Sequence, residues 1–190
     1  HQLHRRQRQM CIRDRKRIED VNFLRDHQFP EDAGPMAHSV QPESYIEINN
    51  FYTVTIYEKG AEIVRMYHTL LGASKFREGT DLYFERHDGS AATVENFVSA
   101  MEEVSGRDLQ QFRRWYSQAG TPQVNVTSNF DPIKQTYTLY FTQNCPDSPS
   151  QTDKKPFLIP IKIGLVSDDG ESSILNLSLI HISEPTRPRL

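Results

Sequence analysis

The sequence predicts an α+β fold in which helices come first and a β-meander follows. Between residues 60 and 116 the apolar side chains recur every three or four positions, which is the period of an amphipathic helix. After Pro122 the period falls to two, as in a strand with one buried face. Gly120 and Pro122 lie where the period changes, so we expect a helical part over residues 16–120 and a β part over residues 121–177.

The helical part is expected to begin with a short helix over residues 18–29 that ends before Pro30. A loop rich in Pro, Gly, Ser and Asp follows and contains His38, which we interpret as a hydrogen-bonding strut. Within residues 16–177 no two histidines are four positions apart, so the sequence does not indicate a helical pair of metal ligands. Residues 45–56 fit either a short strand or a buried helical turn, because their apolar side chains alternate only in part.

Four more helices are predicted after this loop. The first starts at Gly60 and stops at Gly72, and the second covers residues 74–87. Thr93 is of the right type to cap the third helix, which is expected to end at Gly106. All of them carry one apolar face, so we expect them to pack around a shared core.

The fourth helix is predicted from a capping-box pattern, in which Asp108 is followed three residues later by Gln111. Its large apolar side chains are expected to face inward: Leu109, Phe112, Trp115 and Tyr116. The Glu58–Lys59 pair is expected to be solvated or paired only locally, and Arg113 and Arg114 are expected to lie on a solvated helix face rather than to form a basic patch.

The β part is predicted to form a meander with turns at Asp131 and at residues 168–170. Its strands are expected at Val124–Val126, Tyr137–Phe141, Phe157–Val166 and Ile174–Leu177. About four strands are too few to bury both faces of a sandwich, so we expect this β part to be incomplete.

Composition and charge argue against several classes of protein. The chain is 36% hydrophobic and 25% charged, and its formal net charge of −3 argues against general nucleic-acid binding. No stretch approaches the about 18 consecutive apolar residues that a membrane-spanning helix needs. We therefore predict a soluble chain with neither a membrane span nor a nucleic-acid partner.

Both ends of the chain differ in character from the rest. RQRQMCIRDR in residues 6–15 and SLIHISEPTRP in residues 178–188 resemble translated sequencing-adapter read-through. We therefore interpret residues 1–15 and 178–190 as adapter-derived tails and expect no ordered structure in them. Cys11 lies in the first tail, which leaves Cys145 alone, so no disulfide is predicted and a reducing compartment fits.

The candidate site is the segment NNFYTVTIYEKG, residues 49–60, which joins a β-branched run to the start of a helix. It carries Tyr52 and Tyr57, five positions apart. A tyrosine held at such a junction can direct its hydroxyl into a cleft and donate a hydrogen bond to an oxyanion. The alternative for both tyrosines is a place in the core or at its rim, with the hydroxyl reaching water.

Three stretches of the chain resemble one known family. They are NNFYTVTIYEKGAEIVRMYHTLLG, LYFERHDGSAATVENFVSAMEEVSG and DLQQFRRWYSQAGTPQVNV, and together they span most of residues 17–126. They are similar to the bacterial-type aminopeptidase N family, which are zinc aminopeptidases of the gluzincin group. The resemblance implies the helical C-terminal part of a thermolysin-like catalytic domain, followed by the start of an Ig-like β-sandwich.

The resemblance also implies roles for three residues of the candidate site. Tyr57 would be the catalytic tyrosine that stabilises the tetrahedral intermediate opposite the zinc. Asn49 and Tyr52 would lie beside the pocket for the substrate's first side chain, with a purely structural role as the alternative. The substrates implied are peptides, the cofactor is zinc and the compartment is the cytoplasm, whereas the oligomeric state is not implied.

The zinc-binding apparatus of that family does not occur in the sequence. HExxH with a later Glu ligand is absent, and so is the GxMEN segment that helps to bind the substrate's amino group. In the family these elements precede the YEKG segment. We therefore expect a fragment that supplies Tyr57 but no metal ligand, and that is inactive by itself.

Two other functions are compatible with the pattern. One is a non-catalytic interaction module built from helices and a β-domain, which predicts no HExxH upstream of Lys16. The other keeps the zinc scaffold but changes the reaction, since related gluzincins include an epoxide hydrolase of lipid metabolism. The YEKGAE context and the Ig-like continuation favour the peptidase.

Overall fold

The structure is a computed structural model that describes residues 2–149, 151–166 and 172–175. Helices precede strands along these residues, which confirms the α+β fold. The helical elements are α1 (Gln2–Phe23), a π-helical turn (Leu24–Gln28), α2 (Phe29–Ala33), a 3-10 turn (Ile48–Phe51), a second π-helical turn (Thr55–Lys59), α3 (Gly60–His87), α4 (Val94–Ser105) and α5 (Arg114–Ser117). The strands are β1 (Gln123–Asp131), β2 (Thr136–Asn144), β3 (Ile163–Val166) and β4 (Ser172–Leu175).

The first helix is longer than predicted at both ends. It starts at Gln2, so the prediction of no ordered structure is wrong for residues 2–15; the many Arg and Gln residues there are good helix formers. Beyond Phe23 the chain continues through the first π-helical turn into α2. Pro30 is therefore the second residue of α2, so the prediction that the helix ends before Pro30 is wrong. The other predicted tail, residues 178–190, lies outside the described residues.

Residues 45–59 contain two tight helical turns, so the helical alternative is the one that the chain adopts. In the 3-10 turn Ile48–Phe51, the side-chain oxygen of Asn50 accepts hydrogen bonds from the backbone N–H groups of Ile46 and Glu47 at 3.1 and 3.0 Å. The π-helical turn Thr55–Lys59 then continues directly into α3. The candidate site is thus a pair of turns and contains no strand.

The predicted break at Gly72 is confirmed. Gly72 has φ of +79° and ψ of 164° and divides α3 into two helical segments, a conformation that glycine adopts without a Cβ penalty. The N-cap of α4 is also confirmed, since the Thr93 hydroxyl accepts a hydrogen bond from the Asn96 N–H at 3.3 Å and Asn96 bonds back to Thr93. Gly106 ends α4 in the left-handed region, with φ of +65°.

The fourth predicted helix is mostly a series of turns. The Asp108 carboxylate accepts from the Gln110 N–H at 2.7 Å, two residues on, so the predicted capping box does not form and only Arg114–Ser117 is α-helical. The burial of its four apolar side chains is confirmed: Leu109, Phe112, Trp115 and Tyr116 are all buried. The burial pattern was therefore predictable although the backbone conformation was not.

The prediction that Arg113 and Arg114 form a solvated face is wrong. Arg113 donates to Glu102 at 2.6 Å and to Glu95 at 2.9 Å, which joins the segment before α5 to α4. Arg114 donates to the Pro156 carbonyl at 2.6 Å, which joins α5 to the β part. Both guanidinium groups find acceptors on segments that are close in space but distant in sequence.

The β part contains two antiparallel pairs in the described residues. β1 and β2 pair from Gln123↔Asn144 to Asp131↔Thr136, which confirms the hairpin with its turn at Asp131. β3 pairs with β4, with Ile163 opposite Leu175. β4 begins at Ser172 rather than at the predicted position 174, and residues 176–177 are not among those described.

The segment before β3 does not form the strand predicted from Phe157 onward, because side chains satisfy its backbone groups instead of a ladder. The Phe157 N–H and C=O both bond to the Gln143 amide at 2.8 Å, and the Leu158 carbonyl accepts from the Trp115 indole at 2.8 Å. Phe157 and Leu158 are buried in the same core as the helices. The two parts of the chain therefore share one hydrophobic core: Ile63, Tyr67, Leu70, Val98, Met101, Leu109, Phe112, Trp115, Tyr116, Phe157 and Leu158.

Candidate functional site

Tyr57 lies in the middle of the π-helical turn Thr55–Lys59 and remains accessible, with 57% of its surface exposed. Its ring stacks on that of Tyr52, with 6.1 Å between ring centroids and 24° between ring planes. Tyr52 is 67% exposed and Asn49 is also exposed. A phenol in this position can reach a molecule that approaches from the solvent side, whereas a phenol in the packed core could not.

Asn49 is joined to this tyrosine pair through the backbone. Its carbonyl accepts the Tyr52 N–H at 3.0 Å at the end of the 3-10 turn. The structure therefore brings Tyr52 and Tyr57 into ring contact and holds Asn49 one turn away. The catalytic role of Tyr57 and the pocket roles of Asn49 and Tyr52 stay predictions.

The neighbouring residues 45–51 also expose large apolar side chains. Ile46 is 95% exposed and Ile48 63% exposed, while Tyr45 contacts the Phe51 ring edge-on at 4.6 Å. Exposed apolar side chains this numerous on one short segment indicate a surface that contacts another molecule or another segment.

Lys59, the last residue of the Tyr57 turn, is buried, which makes the prediction of a solvated or locally paired Glu58–Lys59 turn wrong for Lys59. Its ammonium group donates to the Asp32 carboxylate at 2.8 Å and to the Gly120 carbonyl at 2.9 Å. The side chains of Lys59 and Asp32 are only 7% and 1% exposed. A charge can be buried here because its partner, 27 residues away in the sequence, is buried beside it.

Asp32 also bonds to the start of the β part. Its carboxylate accepts from the Gly120 N–H at 3.2 Å and from the Thr121 hydroxyl at 2.9 Å. Burial alone would raise the pKa of Asp32, but the Lys59 charge and the hydrogen bonds from Lys59, Gln28 and Thr121 outweigh it and hold that pKa below its ordinary value. Asp32 is therefore an ionised group that joins three segments of the chain.

The first residue of the Tyr57 turn is held by the neighbouring carboxylate. Glu31 accepts from the Thr55 N–H at 3.0 Å and from the Thr55 hydroxyl at 2.5 Å, and Gln28 donates to the same hydroxyl at 3.2 Å. His38 lies behind Glu31, with 3.6 Å between its Nε2 and the carboxylate, and its Nδ1 donates to the Ser39 carbonyl at 2.7 Å. The interpretation of His38 as a hydrogen-bonding residue is thus confirmed for Nδ1, whereas its buried Nε2 has no hydrogen-bond partner among the described residues.

Reasoning from the sequence missed Asp32, Glu31 and the burial of Lys59. One signal could have revealed the last of these, because Lys59 lies on the same helical face as Ile63, Tyr67 and Leu70, four, eight and eleven positions on. No local signal marks Asp32 as the partner. That pairing depends on how α2 and α3 pack.

An apolar cavity of about 240 Å³ lies beside this ion pair, at the junction of the helical and β parts. Its lining includes Lys59, Ile63, Trp115, Thr121 and Val124. Tyr57 is not among the residues that line it, so the cavity meets the candidate segment at Lys59 and not at the phenol.

Cys145 lies close to the same junction. Its thiol is 3.8 Å from the Ala119 carbonyl, and burial raises the pKa of the thiol. A thiol that is harder to ionise is a weaker nucleophile. We therefore do not place Cys145 among the candidate catalytic residues.

Within the part of the chain that the structure describes, no three His, Cys, Asp or Glu side chains come together in a way that could hold a metal ion. These residues therefore do not fit a zinc site. Among the same residues, no helix is long and apolar enough to cross a membrane.

Comparison with known proteins identifies both parts of the chain. The model of the "Peptidase family M1 domain" matches residues 7–116. A second model, "Domain of unknown function (DUF3458) Ig-like fold", matches residues 120–187. The resemblance found from the sequence is therefore confirmed.

Curated relatives agree with this result. "Aminopeptidase N" of Escherichia coli (strain K12) is 54% identical over 155 residues, which cover 82% of this chain and 18% of that protein. "Aminopeptidase N" of Caulobacter vibrioides is 60% identical over 116 residues, which cover 61% of this chain and 13% of that protein. The chain thus spans less than a fifth of the length of these relatives.

A solved structure has a similar fold. The Legionella pneumophila aminopeptidase A, in a complex with aspartic acid, matches with a TM-score of 0.60 and 27% identity over 78% of this chain and 17% of that one. Since the family model matches more than half of the chain, the chain belongs to peptidase family M1.

Proposed function

We propose that this chain is part of a longer zinc-dependent aminopeptidase, in which Tyr57 stabilises the oxyanion formed during peptide hydrolysis. The observation that carries the proposal is an accessible phenol on a turn that is hydrogen-bonded at both ends. Membership of peptidase family M1 supports the reaction class. Peptides with a free N-terminus are the proposed substrates.

The chemical role of Tyr57 follows from the charge that develops in the reaction. When water attacks a peptide carbonyl, the oxygen gains negative charge, and a phenol O–H can donate a hydrogen bond to it. The proton stays on the phenol, so Tyr57 need not be ionised. A donor of this kind is worth about 10²–10³ in turnover.

Asn49 and Tyr52 are proposed to border the pocket for the substrate's first side chain. Tyr52 has a second proposed role, because its ring lies against that of Tyr57 and restricts the directions in which the phenol can point. Both side chains are exposed and could contact a peptide.

The described residues do not fit a zinc site, so we derive no catalytic step through the metal from them. We propose that the zinc ligands of the longer protein lie outside this chain. In that protein, residues 16–120 would be the C-terminal part of the catalytic domain and residues 121–177 the start of the Ig-like domain. Residues 1–15 and 178–190 are proposed to be adapter-derived, and the longer protein is proposed to reside in the cytoplasm.

The test of this proposal is Tyr57→Phe in the longer protein, assayed with an amino-acid anilide. We expect kcat to fall by about 10²–10³ while the zinc content stays that of the parent. Tyr137→Phe is the matched control, because Tyr137 is an exposed tyrosine on β2. Parent-like turnover in Tyr57→Phe would remove Tyr57 from the mechanism.

The reading frame upstream of Lys16 provides a second, independent test. We expect it to encode HExxH and a later Glu, which together supply the metal ligands. An upstream sequence without that motif would favour the non-catalytic interaction module instead.

A further inference from the structure

We infer that Asp32 and Lys59 are positioning residues that fix the direction of the Tyr57 hydroxyl, and that through them the start of the β part helps to hold the catalytic turn. This inference rests on the proposed function of Tyr57. It concerns residues that do not touch the substrate and act only through the turn that carries the phenol.

The first observation is how little else holds the Tyr57 side chain. With 57% of its surface exposed and its ring stacked on Tyr52, the phenol takes its position from the backbone of the turn and from that one aromatic neighbour among the described residues. The position of that turn depends on its first and last residues, Thr55 and Lys59. A device that fixes both ends of the turn therefore fixes the backbone position from which the phenol projects.

Two adjacent carboxylates supply that device. Glu31 binds the backbone and side chain of Thr55, and Asp32 binds the ammonium group of Lys59. Tyr57 lies midway between these two anchors. Because Glu31 and Asp32 both belong to α2, any shift of α2 would move both ends of the turn together.

The second observation is that the Lys59 anchor is shared with the β part. Gly120 bonds to Lys59 through its carbonyl and to Asp32 through its N–H, and Thr121 donates to the same Asp32 carboxylate. Gly120 has φ of +90°, and a Cβ there would lie 2.8 Å from the Lys154 ammonium group and 3.2 Å from the Cys145 sulfur. The segment that starts the β part is thus hydrogen-bonded to both members of the pair, and Gly120 leaves little room for a Cβ.

A buried ion pair does not by itself show a role in catalysis, because such a pair can also be purely structural. The two roles differ in one measurable way. If the pair is only structural, its loss lowers activity whether or not Tyr57 has its hydroxyl. If the pair positions the phenol, its loss lowers activity only through that hydroxyl, so the loss has no effect once the hydroxyl is removed.

The experiment is a double-mutant cycle in the longer protein with Asp32→Asn, Tyr57→Phe and the double variant, all checked for zinc content. We expect Asp32→Asn to lower kcat by about 10- to 100-fold, since a small misplacement of a catalytic group has effects of that size. In the Tyr57→Phe background the same substitution should change kcat by less than about 2-fold, and KM should hardly change in either background.

Thr121→Val keeps the experiment decisive if Asp32→Asn does not fold. It removes one hydrogen bond to Asp32 and leaves the ion pair in place. We expect a smaller fall in kcat that is again absent in the Tyr57→Phe background. The control is Asp81→Asn, which breaks the exposed Arg77–Asp81 pair on α3 and should leave kcat unchanged.

Equal losses of kcat in both backgrounds would overturn the inference, and so would an unchanged kcat in folded Asp32→Asn. Either result leaves the proposed role of Tyr57 intact, provided that Tyr57→Phe alone lowers kcat. If Tyr57→Phe alone has parent-like turnover, the proposed function fails and the inference fails with it.

Discussion

Trp115 and Phe157 face each other across the boundary between the helical and β parts, with 4.3 Å between their ring centroids. The Trp115 indole also donates to the Leu158 carbonyl at 2.8 Å. Phe157 is fully buried, although it lies in a segment without regular secondary structure. The contact makes one segment of the β part a component of the helical core.

Phe157→Ala is therefore expected to destabilise the whole chain. Removing a buried aromatic ring lowers the free energy of unfolding by about 3–5 kcal/mol, because the cavity left behind is only partly filled. Guanidinium unfolding followed by circular dichroism of the helices measures the effect. Phe130→Ala is the matched control, because Phe130 lies on β1 and is 57% exposed. A helical transition unchanged by Phe157→Ala would mean that the β part does not share the helical core.

Asp32→Asn is expected to destabilise the chain most strongly near neutral pH. Removing one partner of a buried ion pair costs about 3–5 kcal/mol, because the other charge stays buried without compensation. The folded pKa of Asp32 lies below its ordinary value, so its ionised form stabilises the fold above the unfolded pKa. That contribution is lost as the pH falls through the lower, folded pKa.

The difference in unfolding free energy between the parent and Asp32→Asn should thus be constant above about pH 5 and shrink below about pH 4. Urea unfolding at several pH values measures it. The Asp81→Asn variant, which removes one partner of the exposed Arg77–Asp81 pair, serves as the comparison. A difference that grows on acidification would reverse the sign of the pKa shift and contradict the ion pair.

Arg113→Met should destabilise the contact between α4 and the segment before α5. Arg113 lowers the pKa of Glu102 chiefly through its hydrogen bonds, and both side chains are more than two-thirds buried. Hydrogen bonds between charged groups contribute about 1.5–3 kcal/mol, and we expect the lower end of that range because solvent partly screens this pair. Thermal unfolding of Arg113→Met and of the parent measures this loss of stability. The control is Arg86→Met, which removes the exposed Arg86–Glu103 pair and should leave the melting temperature unchanged. Equal effects of the two variants would contradict the argument that the Arg113–Glu102 pair contributes more because it is more buried.

The 190-residue chain by itself is expected to bind no zinc tightly and to hydrolyse no amino-acid anilide. The physical reason is that a zinc site needs three or four ligands in one place, and the described residues bring no such set together. Equilibrium dialysis with metal analysis tests the binding, and the anilide assay with added zinc tests the activity. Stoichiometric zinc with metal-dependent hydrolysis would show that this chain carries a metal site of its own.

The features that sequence alone determined depend on residues close together in the chain. Gly72 breaks α3, Thr93 caps α4 and Asp131 starts the β-hairpin turn because each effect needs only a backbone conformation or a partner a few positions away. The family resemblance was likewise carried by continuous stretches, and the family models match both parts of the chain. The location of the candidate site in residues 49–60 followed from the same stretches.

The features that only the tertiary structure decided depend on partners that are distant in sequence. Lys59 is buried because Asp32 reaches it from 27 positions away, and Asp32 is held by Gly120 from 88 positions away. Phe157 leaves its predicted strand because Gln143 satisfies its backbone and Trp115 covers its ring. A charge or a backbone group can leave water only where a partner arrives from another segment, and no local pattern records which segment that is.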